Sequence, residues 1–376
     1  RKLEGVLGPS TDAIDLDAVT NVVIRNVRID VNDDGIALKG GKGPDANDFA
    51  KHPENGVCRN VVVEDCTFGK MCFGGVTLGS ECFSASNVVL RNSRFENCSV
   101  ANSDYAAQSP PAERGTRPRI EYCQFVGNKA LAAGALYAKN TDIYRSHFEG
   151  NSDANANNES RAAAVRFGQS SMTECTVVGN SGQDVLGFDQ IWSSDAYVGA
   201  ITNCLIANNT SGARPALDVN TSNTRVDIVN CTIANNRSVS NKSGTAKSGG
   251  IGWLKPGTAP RVTVVNTIIW GNTVDGEVKD LPADMDTKIT ISISHCCFLE
   301  ADDWTGPGNI AKDPRLYSGR RFGMLRGGSP CIDAGDNLGW TADAVDLAGA
   351  PRIYNKVIDM GCYEKGPTPG LLIQVK

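Results

Sequence analysis

One short phrase recurs along this chain and restricts its fold more than any other feature. It reads VVVEDCTFGK at 61–70, VVLRNSRFEN at 88–97, RIEYCQFVGN at 119–128 and IYRSHFEGN at 143–151. It returns as MTECTVVGN at 172–180, ITNCLIANN at 201–209, DIVNCTIANN at 227–236, TVVNTIIWGN at 263–272 and, more weakly, ISISHCCFLE at 291–300. The central residues Cys66, Ser93, Cys123, Ser146, Cys175, Cys204, Cys231, Thr267 and Cys296 follow one another at intervals of 23 to 36 residues, a solenoid period. Within each copy apolar and polar residues alternate, and Gly-Asn or Asn-Asn closes the phrase. Alternation indicates a strand, and the closure a turn that tolerates left-handed backbone. Strands this short cannot bury a face alone, but stacked at ~4.8 Å they share one core. No amphipathic helix intervenes. The expected fold is therefore all-β, a right-handed parallel β-helix of about ten coils by the repeat count. It should occupy residues 1–328, with 329–376 as a C-terminal capping segment.

Composition agrees with this and excludes some functions. At 376 residues the chain exceeds a usual compact domain, so two domains or one elongated architecture is expected. Forty glycines and 6% aromatic residues suit many short strands and tight turns. A formal charge of −5 without a basic cluster gives no footprint for nucleic acid. No apolar run approaches the ~20 residues that span a bilayer. The chain starts at Arg1 with neither Met nor a signal-like segment, which reads as a mature or excerpted piece of an extracellular or cell-surface protein.

Six of the 13 cysteines occupy the central repeat position, alternating with Ser and Thr, and read as an interior ladder of small side chains. Disulfides stay open for off-ladder pairs, Cys72 with Cys82 or Cys331 with Cys362. No paired CxxC or HxxxH spacing argues for zinc, and no cofactor is expected. His52, His147 and His295 are scattered and read as surface or turn residues.

The stretch STDAIDLDAVTNVVIRNVRIDVNDDGIALKGG, residues 10–41, contains the repeat phrase and so spans roughly one coil. Asp33 and Asp34 follow Asp12 by 21 and 22 residues, which places the three carboxylates side by side on adjacent strands. Carboxylates that close repel one another and push at least one pKa upward. Such an arrangement is costly for turn residues. It suits glycoside hydrolysis, where one carboxyl stays protonated as acid while others activate water.

STDAIDLD, NDDGIALKGG and GGVTLGSE resemble three motif blocks of glycoside hydrolase family 28, the polygalacturonases and rhamnogalacturonases, over residues 8–95. The resemblance implies a right-handed β-helix and inverting hydrolysis of pectic chains. It implies Asp33 as general acid, Asp12 and Asp34 as the pair that holds and deprotonates water, and Lys39 as a contact to a substrate carboxylate. Phe73 and Glu81, within or beside the third block, are further substrate-binding candidates. The chain departs from the family pattern in three places. Ser10 stands where Asn is usual, Phe73-Gly74-Gly75 replaces Gly-His-Gly, and no Arg-x-Lys follows Arg94. From about residue 115 the chain resembles bacterial cell-surface β-helices of the polymorphic-outer-membrane type, and residues 329–364 resemble their closing segment.

Two insertions, residues 40–56 and 101–119, read equally as binding-face loops or as disordered excursions; if they flank the carboxylates they form cleft walls, with Phe49, Phe73 or Tyr105 as sugar-stacking platforms. Trp192, Trp253, Trp270, Trp304 and Trp340 lie too far along the helix to join the site. In the closing segment Asp333, Asp336, Asp346 and Asp359 suggest either a calcium site or, preferably, turn residues of a cap. The open first coil is a place for a partner chain or self-association. The expected function is hydrolysis of pectic or related acidic glycans by an extracellular enzyme. Its rivals are a non-catalytic adhesin or structural subunit, which the missing His and Arg-x-Lys favour, and a calcium-dependent pectate lyase in which Asp33-Asp34 hold the metal.

Overall fold

The computed structural model describes residues 11–39, 58–69, 75–78, 85–96, 117–130, 134–139, 141–153, 162–168, 170–188, 197–219, 224–241, 244–252, 261–282 and 290–366. Among them the strands wind into a right-handed parallel β-helix. A ten-stranded sheet runs from Thr20–Arg25 to Thr290–Ser294, so ten coils are stacked. A nine-stranded sheet runs beside it from Arg28–Ile29 to Ile268–Trp270, and sheets of seven, five and three strands complete the cross-section. Most neighbouring strands come from successive coils in parallel register, as in Ile120 opposite Ile143 and Phe125 opposite Phe148; the exceptions are a register shift between Ala162 and Val165 and the antiparallel pairing of Thr273–Val274 with Glu277–Val278. No α-helix occurs among the described residues, and none is long and apolar enough to cross a membrane.

Stacking turns each repeat position into a column. Phe68, Phe95, Phe125 and Phe148 lie face to face inside the helix, with centroids 4.5, 4.8 and 4.7 Å apart. The Cys/Ser/Thr column forms at the turn between the ten- and nine-stranded sheets, as the sequence predicts. The N–H of Cys123 donates to Ser146 Oγ, that of Ser146 to Cys175 Sγ and that of Cys175 to Cys204 Sγ. The Gly-Asn closures become an asparagine ladder. Nδ2 of Asn128, Asn151, Asn180, Asn209 and Asn236 each donates to Oδ1 of the next, at 2.8–3.0 Å, ending at Asn272. The residue before each ladder position is left-handed, for example Gly150 (φ 63°) and Asn208 (φ 56°).

A second left-handed turn precedes every Cys/Ser/Thr position; Asp65, Asn92, Asn203, Asn230 and Asn266 announce it, but other positions do not. Tyr122, Arg145 and Glu174 hold φ of 54°, 43° and 53° there. These residues do not favour that conformation. The hydrogen bonds of the column and the inward side chain that follows impose it.

Residues 313–366 form no regular strands and lie along the flank of the last coils. Asn266 Oδ1 accepts from the Asp336 N–H at 2.7 Å, the Cys362 N–H donates to Thr232 Oγ1 at 3.1 Å, and Asn203 Nδ2 donates to the Val345 carbonyl at 3.1 Å. Under this cover Leu205, Ala207, Thr232, Ala234 and Ile268 are buried although they point outward from the nine-stranded sheet. The carboxylates of the segment staple its own turns. Asp346 accepts from the N–H groups of Ala348, Ala350 and Glu364, and Asp359 from those of Asp333 and Lys365.

The structure corrects one cysteine expectation. Cys331 and Cys362 are both free. They belong to separate apolar clusters, Cys331 with Cys297 and Ile268, and Cys362 with Leu205 and Ala207, because the segment touches the flank at two places. Cys72 and Cys82 lie outside the described residues. Among the tryptophans, Trp304 packs edge-on against Phe298 at 6.3 Å, Trp270 is partly buried under the closing segment, and Trp340 is exposed. Trp192 and Trp253 lie outside the described residues.

Candidate active site

The first coils build the site through the three-stranded sheet of Ile14–Asp17, Ile36–Lys39 and Val76–Leu78. Ile36 and Leu38 point into the core and are fully buried, so the strand period of two turns Lys39 outward. Register pairs Ile14 with Ile36 and Val76, and Asp17 with Lys39. Asp12 and Asp34 each stand two residues ahead of the paired isoleucines, so they face one another across a single coil step. Gly75 allows the third strand to settle here. A Cβ at that position would lie 2.2 Å from the Phe95 ring, against the phenylalanine stack.

The three aspartates anticipated from the sequence do converge. One carboxylate oxygen from each of Asp12, Asp33 and Asp34 lies within 4.8 Å of the others. The Asp34 N–H donates to Asp12 Oδ1 at 3.2 Å and to Asp33 Oδ1 at 3.0 Å. Thr77 Oγ1, arriving from the third coil, donates to Asp34 Oδ2 at 2.7 Å. Lys39 Nζ bridges Asp12 Oδ2 at 3.0 Å and Asp15 Oδ1 at 3.2 Å. Sequence reasoning missed Thr77 and Asp15. Both stand in the motif blocks quoted above, and the strand period alone marks Asp15 as an outward neighbour of Asp12.

The environments separate the carboxyls. Burial pushes Asp34 up to about 6, and the neighbouring charges of Asp12 and Asp33 add to this while the Thr77 hydroxyl works against it. Partial burial of Asp12 also favours its neutral form. Hydrogen bonds from Lys39, with Asp15 and from the Asp34 N–H outweigh this and hold Asp12 below the usual carboxylate range. Burial works against the Lys39 charge, yet its contacts with Asp12 and Asp15 keep it well above the ordinary lysine value. The site thus has a carboxylate held ionised beside a carboxyl that keeps its proton into mildly acidic solution. Three oxygens this close could also take a hard divalent cation. They are closer than the ~6.5–9.5 Å between the carboxyl groups of an ordinary inverting pair, so the chemical roles follow from environment and not from spacing.

Phe49, Phe73, Glu81 and Tyr105 lie outside the described residues, as do His52 and most of both insertions. His147 bonds Thr176 and Glu149 far from the trio, and His295 sits in a left-handed turn at φ 50°. A second charged cluster, not anticipated, lies on the five-stranded sheet. There Arg214 joins Asp218 at 2.5 Å and Asp184 at 3.7 Å, and burial with the Asp218 charge pushes Asp184 up to about 7.

The fold is that of a parallel β-helix solenoid, with the carboxylate trio on its first coils. More particularly, the family model described as Glycosyl hydrolases family 28 matches residues 4–124. That is about a third of the chain, and it includes Asp12, Asp33, Asp34, Lys39 and Thr77. Over this stretch the chain is similar to hydrolases of pectin-type polysaccharides. A comparison with curated proteins gave no match.

Proposed function

We propose that the chain is an extracellular glycoside hydrolase that cuts pectin-type polysaccharides by inverting acid/base hydrolysis. The observation that carries this is the register-matched pair Asp12 and Asp34, one held ionised by Lys39 and the other keeping a proton through burial. Below about pH 6 Asp34 of the free protein holds a proton. With a glycan in place that proton moves from Asp34 to Asp33, the donor in the resembled family, whose carboxylate oxygen lies within 4.8 Å, and from Asp33 to the glycosidic oxygen as the bond to the anomeric carbon breaks. Asp12, assisted by Asp34, accepts a proton from the water that attacks the opposite face of the sugar.

The experiment incubates the protein with polygalacturonan and rhamnogalacturonan and measures new reducing ends beside ultraviolet absorbance. Reducing ends without absorbance support hydrolysis. A second reading, a calcium-dependent lyase, draws on the three oxygens within 4.8 Å and would give absorbance that a chelator abolishes. No product from a broad glycan panel would leave the non-catalytic surface role, for which the β-helix beyond residue 124 is the argument.

A further inference from the structure

We propose that the trio prefers uncharged sugars, so that within the pectin-type polymers it cuts, the site disfavours free uronate residues. This rests on the hydrolase reading for the identity of the site, and on the charges of the first two coils for its content. Asp12, Asp15 and Asp17 project from one coil, and Asp33 and Asp34 from the next. In the three described strands of this sheet Lys39 is the only cationic residue. Five carboxyl groups against one ammonium leave an excess of negative charge, even with Asp34 protonated, where a uronate would bring more.

Lys39 is the residue through which the resemblance would seat a substrate carboxylate. Here its ammonium is already held by Asp12 and Asp15, at 3.0 and 3.2 Å. An incoming uronate would have to displace one of them, and displacing Asp12 would release the group that has to stay ionised. The Gly-His-Gly and Arg-x-Lys groups that could offset the charge have no counterpart in this chain. The adjoining sequence does not supply a surplus either. Within residues 40–57 Lys42 and Lys51 stand against Asp45, Asp48 and Glu54, and farther on Lys70 stands against Glu81. Arg59, on the adjoining ten-stranded sheet next to Cys58, whose Sγ meets the Lys39 carbonyl at 2.9 Å, is a cation of the same coils, and counting it still leaves the carboxyl groups in excess. Hydroxyl-rich neutral sugars can meet the carboxylates as hydrogen-bond donors, which suits a site whose side chains mostly accept.

The test uses two polymers that share linkage and differ in charge, polygalacturonan and its carboxyl-reduced form. The wild type should cut the reduced polymer with at least tenfold higher kcat/KM at low salt, and the gap should narrow as salt screens the site. Asp17→Asn, which removes a charge outside the reacting groups, should narrow it as well. Equal or faster cutting of native polygalacturonan at low salt overturns the inference. If neither polymer is cut the hydrolase reading fails, and affinity electrophoresis of the wild type in gels of each polymer judges the inference separately. Stronger retardation by the reduced polymer supports it. No retardation by the reduced polymer, or equal or stronger retardation by the native one, overturns it.

Discussion

Asp12 and Asp34 hold equivalent positions on successive coils, and the Asp34 N–H reaches across the step to Asp12 Oδ1 at 3.2 Å. The contact depends on the strand register that pairs Ile14 with Ile36, so the site is a by-product of stacking two coils. Asp12→Asn keeps the acceptor oxygen and removes the charge. It should lower kcat by roughly 10²–10⁴, the usual scale for a lost general base, with little change in thermal midpoint. A large fall in the midpoint would mean that the pair is chiefly structural.

Lys39→Met removes the ammonium that holds Asp12 low. Asp12 then accepts its proton at higher pH, so the acidic limb of kcat/KM should move upward. The same change should abolish the part of stability that Asp12 contributes above its ordinary range and loses as pH falls. An unmoved acidic limb would show that Lys39 does not govern the base.

The asparagine ladder ends on a different residue. Asn272 Nδ2 donates to Asp280 Oδ1 at 2.9 Å, and burial pushes Asp280 up to about 7, with the Asn272 bonds opposing the shift. Between the ordinary value of 3.8 and about 7 the folded chain holds a proton that the unfolded chain lacks. This contribution is complete below pH 4 and is lost as pH rises through 7. Asp280→Asn should extend the ladder and remove that loss, raising stability at pH 8 by up to ~4 kcal/mol while changing little at pH 4. Denaturant midpoints at the two pH values decide it.

Breaking the ladder in its middle should be more costly. Asn180→Ala removes the donor to Phe148 O and Asn209 Oδ1, and the acceptor that serves both the N–H and Nδ2 of Asn151. Buried groups left without partners cost ~1–3 kcal/mol each, so a loss of ~3 kcal/mol or more is expected in urea unfolding. A loss below 1 kcal/mol would show that the coils hold without their ladder.

Much of this architecture could be read from the sequence because the repeat writes each column as a list of like residues. Cys66 to Cys296 and Asn128 to Asn272 are examples. The spacing from Asp12 to Asp34 foretold the trio for the same reason, since one coil is a fixed length of chain. What escaped notice depends on neighbours distant in sequence. Tyr122 and Glu174 are left-handed because the stack demands it, against their own preferences. Thr77 meets Asp34 from 43 residues away. The docking of residues 313–366 was written faintly in Leu205 and Ile268, apolar residues at the position where Arg94, Gln124 and His147 are polar in earlier coils.

The most direct test of Asp34 as the proton source is the pH dependence of kcat/KM on whichever polymer the protein hydrolyses, measured for wild type and Thr77→Val. Asp34 loses its proton at about 6, so wild-type activity should fall as pH rises through that value. Thr77 favours the ionised form of Asp34, so Thr77→Val should carry the falling limb to higher pH. A wild-type profile that rises through pH 6, or a limb that Thr77→Val leaves in place, would contradict the account.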